Sequence, residues 1–280
     1  MSSIANAVER NPKWAQFPVR KLFALFSIYL KECFAYPAAS FLWVLADAQT
    51  AMILPAVWLA TTGPNQPIAG MTHPELITYY IGSMILSQFI TCHLMWDIAW
   101  DIREGDFATH LLRPINYFRM NLARNFAWRV AKLVLFLPMG LLVWLIYRSV
   151  GMSGFQISFA FIISVVLAQM LSYVAAFCMA MTALWTTEFM STLRLYYLPE
   201  MFLSGRLIPL SALPVWALGI SRFTHFKYMI YFPTQMLMGK LTDVEVREGL
   251  LVQVAWIVFF ILLGKLLFKR GTRQYSGFGN

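Results

Sequence analysis

Long apolar stretches fill this chain, and short polar or proline-rich breaks divide them. The breaks predict an all-α integral membrane protein with six crossings, over about 38–61, 76–96, 130–147, 157–184, 189–203 and 250–267. The first of these, at about 1.5 Å per residue, clears a hydrocarbon layer of roughly 30 Å. Ahead of it, Arg20, Ala24, Ser27 and Lys31 make a small or polar stripe opposite Leu22, Phe23, Phe26, Leu30 and Phe34. That periodicity predicts an amphipathic helix over 17–36 lying in the membrane interface rather than crossing it. Between Ser204 and Lys240 the pattern changes again. Gly205, Pro209, Pro214 and Pro233 cut an apolar, aromatic run into pieces too short to cross. Irregular backbone at membrane depth must be covered by protein or line a wet cavity. Two half-inserted helices in the outer half of the bilayer are therefore expected, the alternative being an external amphipathic loop.

The sharpest polar interruption is Ile102–Pro114, IREGDFATHLLRP, within a connection over 98–116. Gly105 permits a turn, and Asp106 is expected to cap a helix over Phe107–Leu112. Pro114 biases Arg113 out of the helical region and ends the helix after about two turns. The expected product is a knob with Phe107, Leu111 and Leu112 on one side and Arg103, Glu104, Asp106 and Arg113 around it. Such a knob is either a docking point for a soluble partner or a connecting loop that happens to be helical. A cationic helix over Asn116–Arg129 leads from it into the third crossing.

Composition sharpens the class. Of 280 residues, 59% are hydrophobic and 12% charged, about half the charged share of a soluble domain. The net charge of +9 comes without a basic patch interleaved with polar readout residues, so nucleic acid is not expected as a partner. Its distribution follows the positive-inside pattern instead. Five Lys or Arg lie in the N-terminal segment, six between the second and third crossings (Arg103, Arg113, Arg119, Arg124, Arg129, Lys132) and four in the tail, against six on the other side. Both termini and the knob are therefore expected in the cytoplasm. Cys33, Cys92 and Cys178 form no CxxC, which suggests neither a disulfide framework nor a zinc site.

Two groups of residues raise chemical questions. His93, Asp97 and Asp101 recur every four residues near the end of the second crossing. They either bind a divalent metal, as an intramembrane transferase would use them, or sit at headgroup level paired with Arg103 or neighbouring cations. Asp47, Glu188, Arg194 and Glu200 lie in or near crossings, where a charge facing lipid is costly. They line a transport path, as in an ion-coupled secondary transporter, or form internal pairs such as Arg194 with Glu188 or Glu200. No GxxxxGK[ST] phosphate loop and no serine or cysteine nucleophile signature occurs.

Two segments together resemble a six-span subfamily of ABC transporter permease subunits of the type 2 exporter class. One is Arg103–Pro114. The other is the C-terminal third: Ser204–Leu210 (SGRLIPL), Tyr231–Gln235 (YFPTQ), Gly239–Leu241 (GKL) and Arg273–Gly279 (RQYSGFG). The resemblance implies one permease domain over 1–280 in a bacterial inner membrane, exporting an amphipathic or lipid-like substrate. It implies a coupling helix formed by Glu104, Gly105, Asp106, Phe107, Leu111, Leu112, Arg113 and Pro114. The partners implied are a cytoplasmic ABC ATPase subunit, a second permease and membrane lipid. No cofactor is implied in this chain, because ATP and magnesium bind the ATPase subunit.

Overall fold

The computed structural model describes residues 19–35, 37–63, 66–113, 115–149, 151–152, 154–186 and 189–275, without the side chains of 19, 37, 39, 43, 47, 48 and 51. Glu188, Pro114 and the side chain of Asp47 thus lie outside the described residues. Eleven α-helices are present among them. They are α1 (Val19–Ala35), α2 (Pro37–Thr61), α3 (His73–Ile90), α4 (Leu94–Arg103), α5 (Asp106–Leu112) and α6 (Tyr117–Tyr147). They continue with α7 (Phe159–Met181), α8 (Phe189–Leu203), α9 (Val215–Arg222), α10 (Tyr231–Leu237) and α11 (Asp243–Gln274).

Three helical segments are long and apolar enough to cross a membrane: α6, α7 with the 3-10 turn after it, and α11. A fourth arises if α1 and Ser40–Ala46 of α2, bent by 88°, count as one span. Of the six expected crossings, the first, over α2, is not among the three, and two others differ for identifiable reasons. The second breaks at Thr91–His93 into α3 and α4. The fifth, α8, has 15 residues and reaches only about 22 Å, short of the hydrocarbon layer. On α6 and α11 the outward residues are apolar, among them Leu137, Leu141, Leu251, Val258 and Leu262. Apolar surface on this scale is what a bilayer covers, and the chain is a multi-pass membrane protein.

The helix α7 is central and packs along α11, α4 and α3. Its buried residues include Ala168, Ala175, Ala176 and Ala180, small side chains that allow close helix approach where lipid removes most hydrophobic drive. On α11, a methyl group at Gly264 would stand 3.2 Å from Cys178 Sγ of α7. The α1 helix packs along α6. Phe23 and Phe34 are exposed, while Leu25 and Tyr29 pack inward. Burial also bears on the charge count: Arg129 and Lys132, two of the cations counted between the second and third crossings, lie inside the bundle on α6.

The segment from Ser204 to Lys240 is stitched to α3. Gly205, at φ 79°, makes the left-handed turn that ends α8, a conformation glycine adopts without steric cost. The Tyr79 hydroxyl donates to its carbonyl at 2.5 Å, and Tyr80 donates to Leu207 O at 3.2 Å. Pro209 and Pro214 stand immediately before a 3-10 turn and α9. Pro233 lies buried in the first turn of α10, where its missing N–H leaves no helical bond unmade.

At the far edge of this segment Lys240 Nζ meets Glu75 Oε1 at 2.9 Å, while Glu75 Oε2 accepts from Thr72 N at 2.8 Å. The lysine hydrogen bond and then the backbone N–H hold the Glu75 carboxyl below its usual range. A depressed carboxylate adds stability above its unfolded pKa of about 4.3 and loses it as pH falls through the folded value. Glu75→Gln is therefore expected to cost ~1 kcal/mol or less at neutral pH. Melting temperatures of variant and parent should converge as pH drops below the folded value; a gap that persists there would discount the pair.

Candidate functional site

The Ile102–Pro114 stretch is built into a helical elbow. The α4 helix ends at Arg103, Gly105 takes φ 85° at the N-cap of α5, and α5 runs for seven residues. Asp106 is the first helical residue, not the cap, and no side chain caps α5. Gly105 makes the expected turn, in the left-handed conformation that a side chain disfavours, and as the N-cap itself it starts the helix one residue earlier than expected.

The faces of α5 also divide differently. Phe107 is fully buried and Leu111 nearly so, but Leu112 is 74% exposed. Helical geometry explains the split. Residue 111 lies about 40° around the axis from 107, whereas residue 112 lies about 140° away. The Phe107 ring meets Tyr117 edge-on at 5.0 Å and Tyr275 at 5.2 Å, with Phe268 at 6.3 Å. The Tyr275 hydroxyl reaches Ile102 O at 3.4 Å. The end of α11 thus clamps the elbow from beneath. Phe268 on α11 was not singled out by the apolar pattern, whereas Tyr275, the residue that caps α11, falls in the RQYSGFG segment. Arg103, Glu104, Asp106, Leu112 and Arg113 remain on the outer surface.

Behind the elbow the acids of α4 are engaged. Arg124 of α6 stands 3.5 Å from Asp97 and 3.6 Å from Asp101. Asp101 also accepts from the Tyr117 hydroxyl at 3.0 Å and lies 4.0 Å from His110 Nε2. The guanidinium of Arg124 covers the Tyr29 ring at 5.8 Å, tying α1 to the same group. Burial lowers the His110 pKa, with Asp101 pulling the other way. Arg103, expected as a partner for these acids, instead lies over the Trp100 ring at 5.6 Å. His93 stands at the helix break, with Nδ1 2.8 Å from the Tyr197 hydroxyl of α8, so the even four-residue spacing does not gather three ligands. Among the described residues no group of three His, Cys, Asp or Glu is placed to hold a metal.

The break itself is satisfied by side chains. Arg129 donates from Nη1 to Gln88 O at 3.0 Å and from Nη2 to Ile90 O at 3.3 Å. Ser172 Oγ of α7 accepts from Cys92 N at 3.0 Å. The last carbonyls of α3 therefore meet a cation, the arrangement a helix C-terminus favours.

A family model described as ABC-2 family transporter protein matches residues 48–279. The chain belongs to the ABC-2 transporter family. No curated protein and no solved structure matches it. In this ABC-2 transporter protein the match covers α3 to α11, including the elbow and its clamp, and leaves α1 outside. Glu200, one of the ionisable residues in question, is buried and pairs with Arg206 at 3.1 Å across the Gly205 turn. The pairing expected with Arg194 is replaced by this one, and Arg194 lies on an exposed part of α8.

Proposed function

We propose that this ABC-2 protein is the permease subunit of an ATP-driven exporter in a bacterial inner membrane, with its termini in the cytoplasm. It has no ATPase site of its own; a separate cytoplasmic ABC ATPase binds ATP and magnesium and works against α5. A second permease completes the transport path, and the substrate is amphipathic or lipid-like. The α1 helix lies in the interface, and the segment from Ser204 to Lys240 dips into the outer leaflet. The observation carrying the reading is the division of α5, with Phe107 and Leu111 locked into the bundle while Leu112 faces outward. A force applied to the outer surface then passes through aromatic contacts to α6 and α11 as rigid bodies.

An ion-coupled carrier would need a carboxyl free to exchange its ion. Glu200 is held by Arg206, which weighs against that role.

Leu112→Asp tests the coupling. An apolar contact at the centre of a docking surface is worth roughly 2 kcal/mol, or about 30-fold in affinity. The variant should insert and fold normally yet lose permease-stimulated ATP hydrolysis at subsaturating ATPase. Undiminished stimulation would remove α5 as the contact. Leu111 is unsuitable for this test, because an acid there would disrupt the core.

A further inference from the structure

One cavity lies directly beside the elbow, lined in part by Leu111, Tyr117 and Phe268, and has no part in the function proposed above. It is a slot of about 370 Å³ that extends from Leu111 of α5 to Phe260 of α11. Phe118 of α6, Phe177 of α7 and Phe268 of α11 contribute its aromatic walls. Arg119 and Lys265 also line it, and both are exposed. Among the described residues no acidic side chain lines it. Arg119 stands at the beginning of α6, and Lys265 stands where the apolar part of α11 gives way to Lys269, Arg270 and Arg273. Both cations thus stand near the ends of apolar helical stretches, where headgroups are expected.

Each feature constrains the occupant. Pockets for small molecules span about 300–1,000 Å³, so this volume suits one hydrocarbon chain rather than a whole lipid. Aromatic walls exclude a charged group from the interior, because an unpaired charge there is costly. Two cations without an acid between them call for an anion at the mouth, and basic pockets between membrane helices hold anionic lipid headgroups in this way. We propose that the slot binds an anionic phospholipid, with one acyl chain between α6, α7 and α11 and the phosphate held by Arg119 and Lys265. The bound lipid lies against Leu111 and supports α5 from its inner side. This site does not depend on the existence of an ATPase partner.

The test uses the full chain in neutral detergent, with native mass spectrometry to count retained lipid. Phosphatidylglycerol should be retained at one equivalent and at least ~10-fold more tightly than phosphatidylcholine. The Arg119→Gln, Lys265→Gln double variant should remove that preference while leaving the residual phosphatidylcholine binding unchanged. Inorganic phosphate should not compete. Lys265→Glu alone provides a second variant and should also invert the preference. Equal retention of the two lipids, or a preference that survives both variants, would overturn the proposal. Full competition by inorganic phosphate would overturn it too, marking a site for a soluble anion.

Discussion

Replacing Phe107 by alanine is expected to detach α5 from the protein without unfolding the bundle. A Phe→Ala change in a packed site costs ~3–5 kcal/mol. Here the ring makes edge-on contacts at 5.0 and 5.2 Å to residues of α6 and the end of α11, each worth about 0.5–1.5 kcal/mol beyond buried area. A helix of seven residues has no stability of its own in water. Its order comes from Phe107 and Leu111, so the loss falls on α5 first and appears as local opening. Amide exchange over 106–112 should accelerate by about 100-fold or more, while amides in α7 remain protected. ATPase stimulation should fall as well, although Phe107 is buried and makes no outer contact. Phe107→Leu, which keeps most of the volume, should recover much of both readouts. Unchanged exchange over 106–112 in the alanine variant would show that the clamp is not what orders the elbow.

The contrast between Phe107 and Leu112 shows how far the sequence could be read. The apolar runs placed α2, α7 and α8 nearly at their observed ends and the apolar middles of α6 and α11, whose polar ends extend well beyond the expected crossings, because lipid-facing and buried helical residues are both apolar and the polar breaks stand out. The elbow was legible for the same reason, through Gly105 and the helix after it. Its orientation was not. Which side of a two-turn helix is buried depends on what stands behind it, and here that is Tyr275, over 160 residues away in the chain. The acids of α4 do pair with a cation, as one of the two expectations had it, though not with Arg103. Asp97 and Asp101 share a face as their spacing requires, but their partner is Arg124 across the bundle, and spacing along one helix carries no information about a neighbouring helix. The same holds for Glu200, which finds Arg206 only because Gly205 turns the chain back.

Arg129→Met should produce the second large effect, at the break between α3 and α4. No helix signal marked this break, since Thr91, Cys92 and His93 include neither glycine nor proline. It persists because the guanidinium of Arg129 occupies the carbonyls of Gln88 and Ile90, and because Cys92 N is satisfied by Ser172. A hydrogen bond to a charged donor contributes about 1.5–3 kcal/mol, and two buried acceptors left bare should together cost roughly 3 kcal/mol or more. Methionine keeps an unbranched apolar stem and removes every donor, which confines the lost volume to the guanidinium end. Chemical unfolding in mixed micelles should report the loss, and exchange at Cys92 should rise with it. Arg129→Lys should restore part of the stability, because an ammonium can reach one of the two carbonyls while lacking the planar fork that serves both. The alternative outcome is equally informative. If the methionine variant is as stable as the parent and α3 runs on into α4 as one helix, the break is imposed by this side chain alone. The elbow would then sit at the end of a straight span rather than on a lever jointed at Thr91–His93.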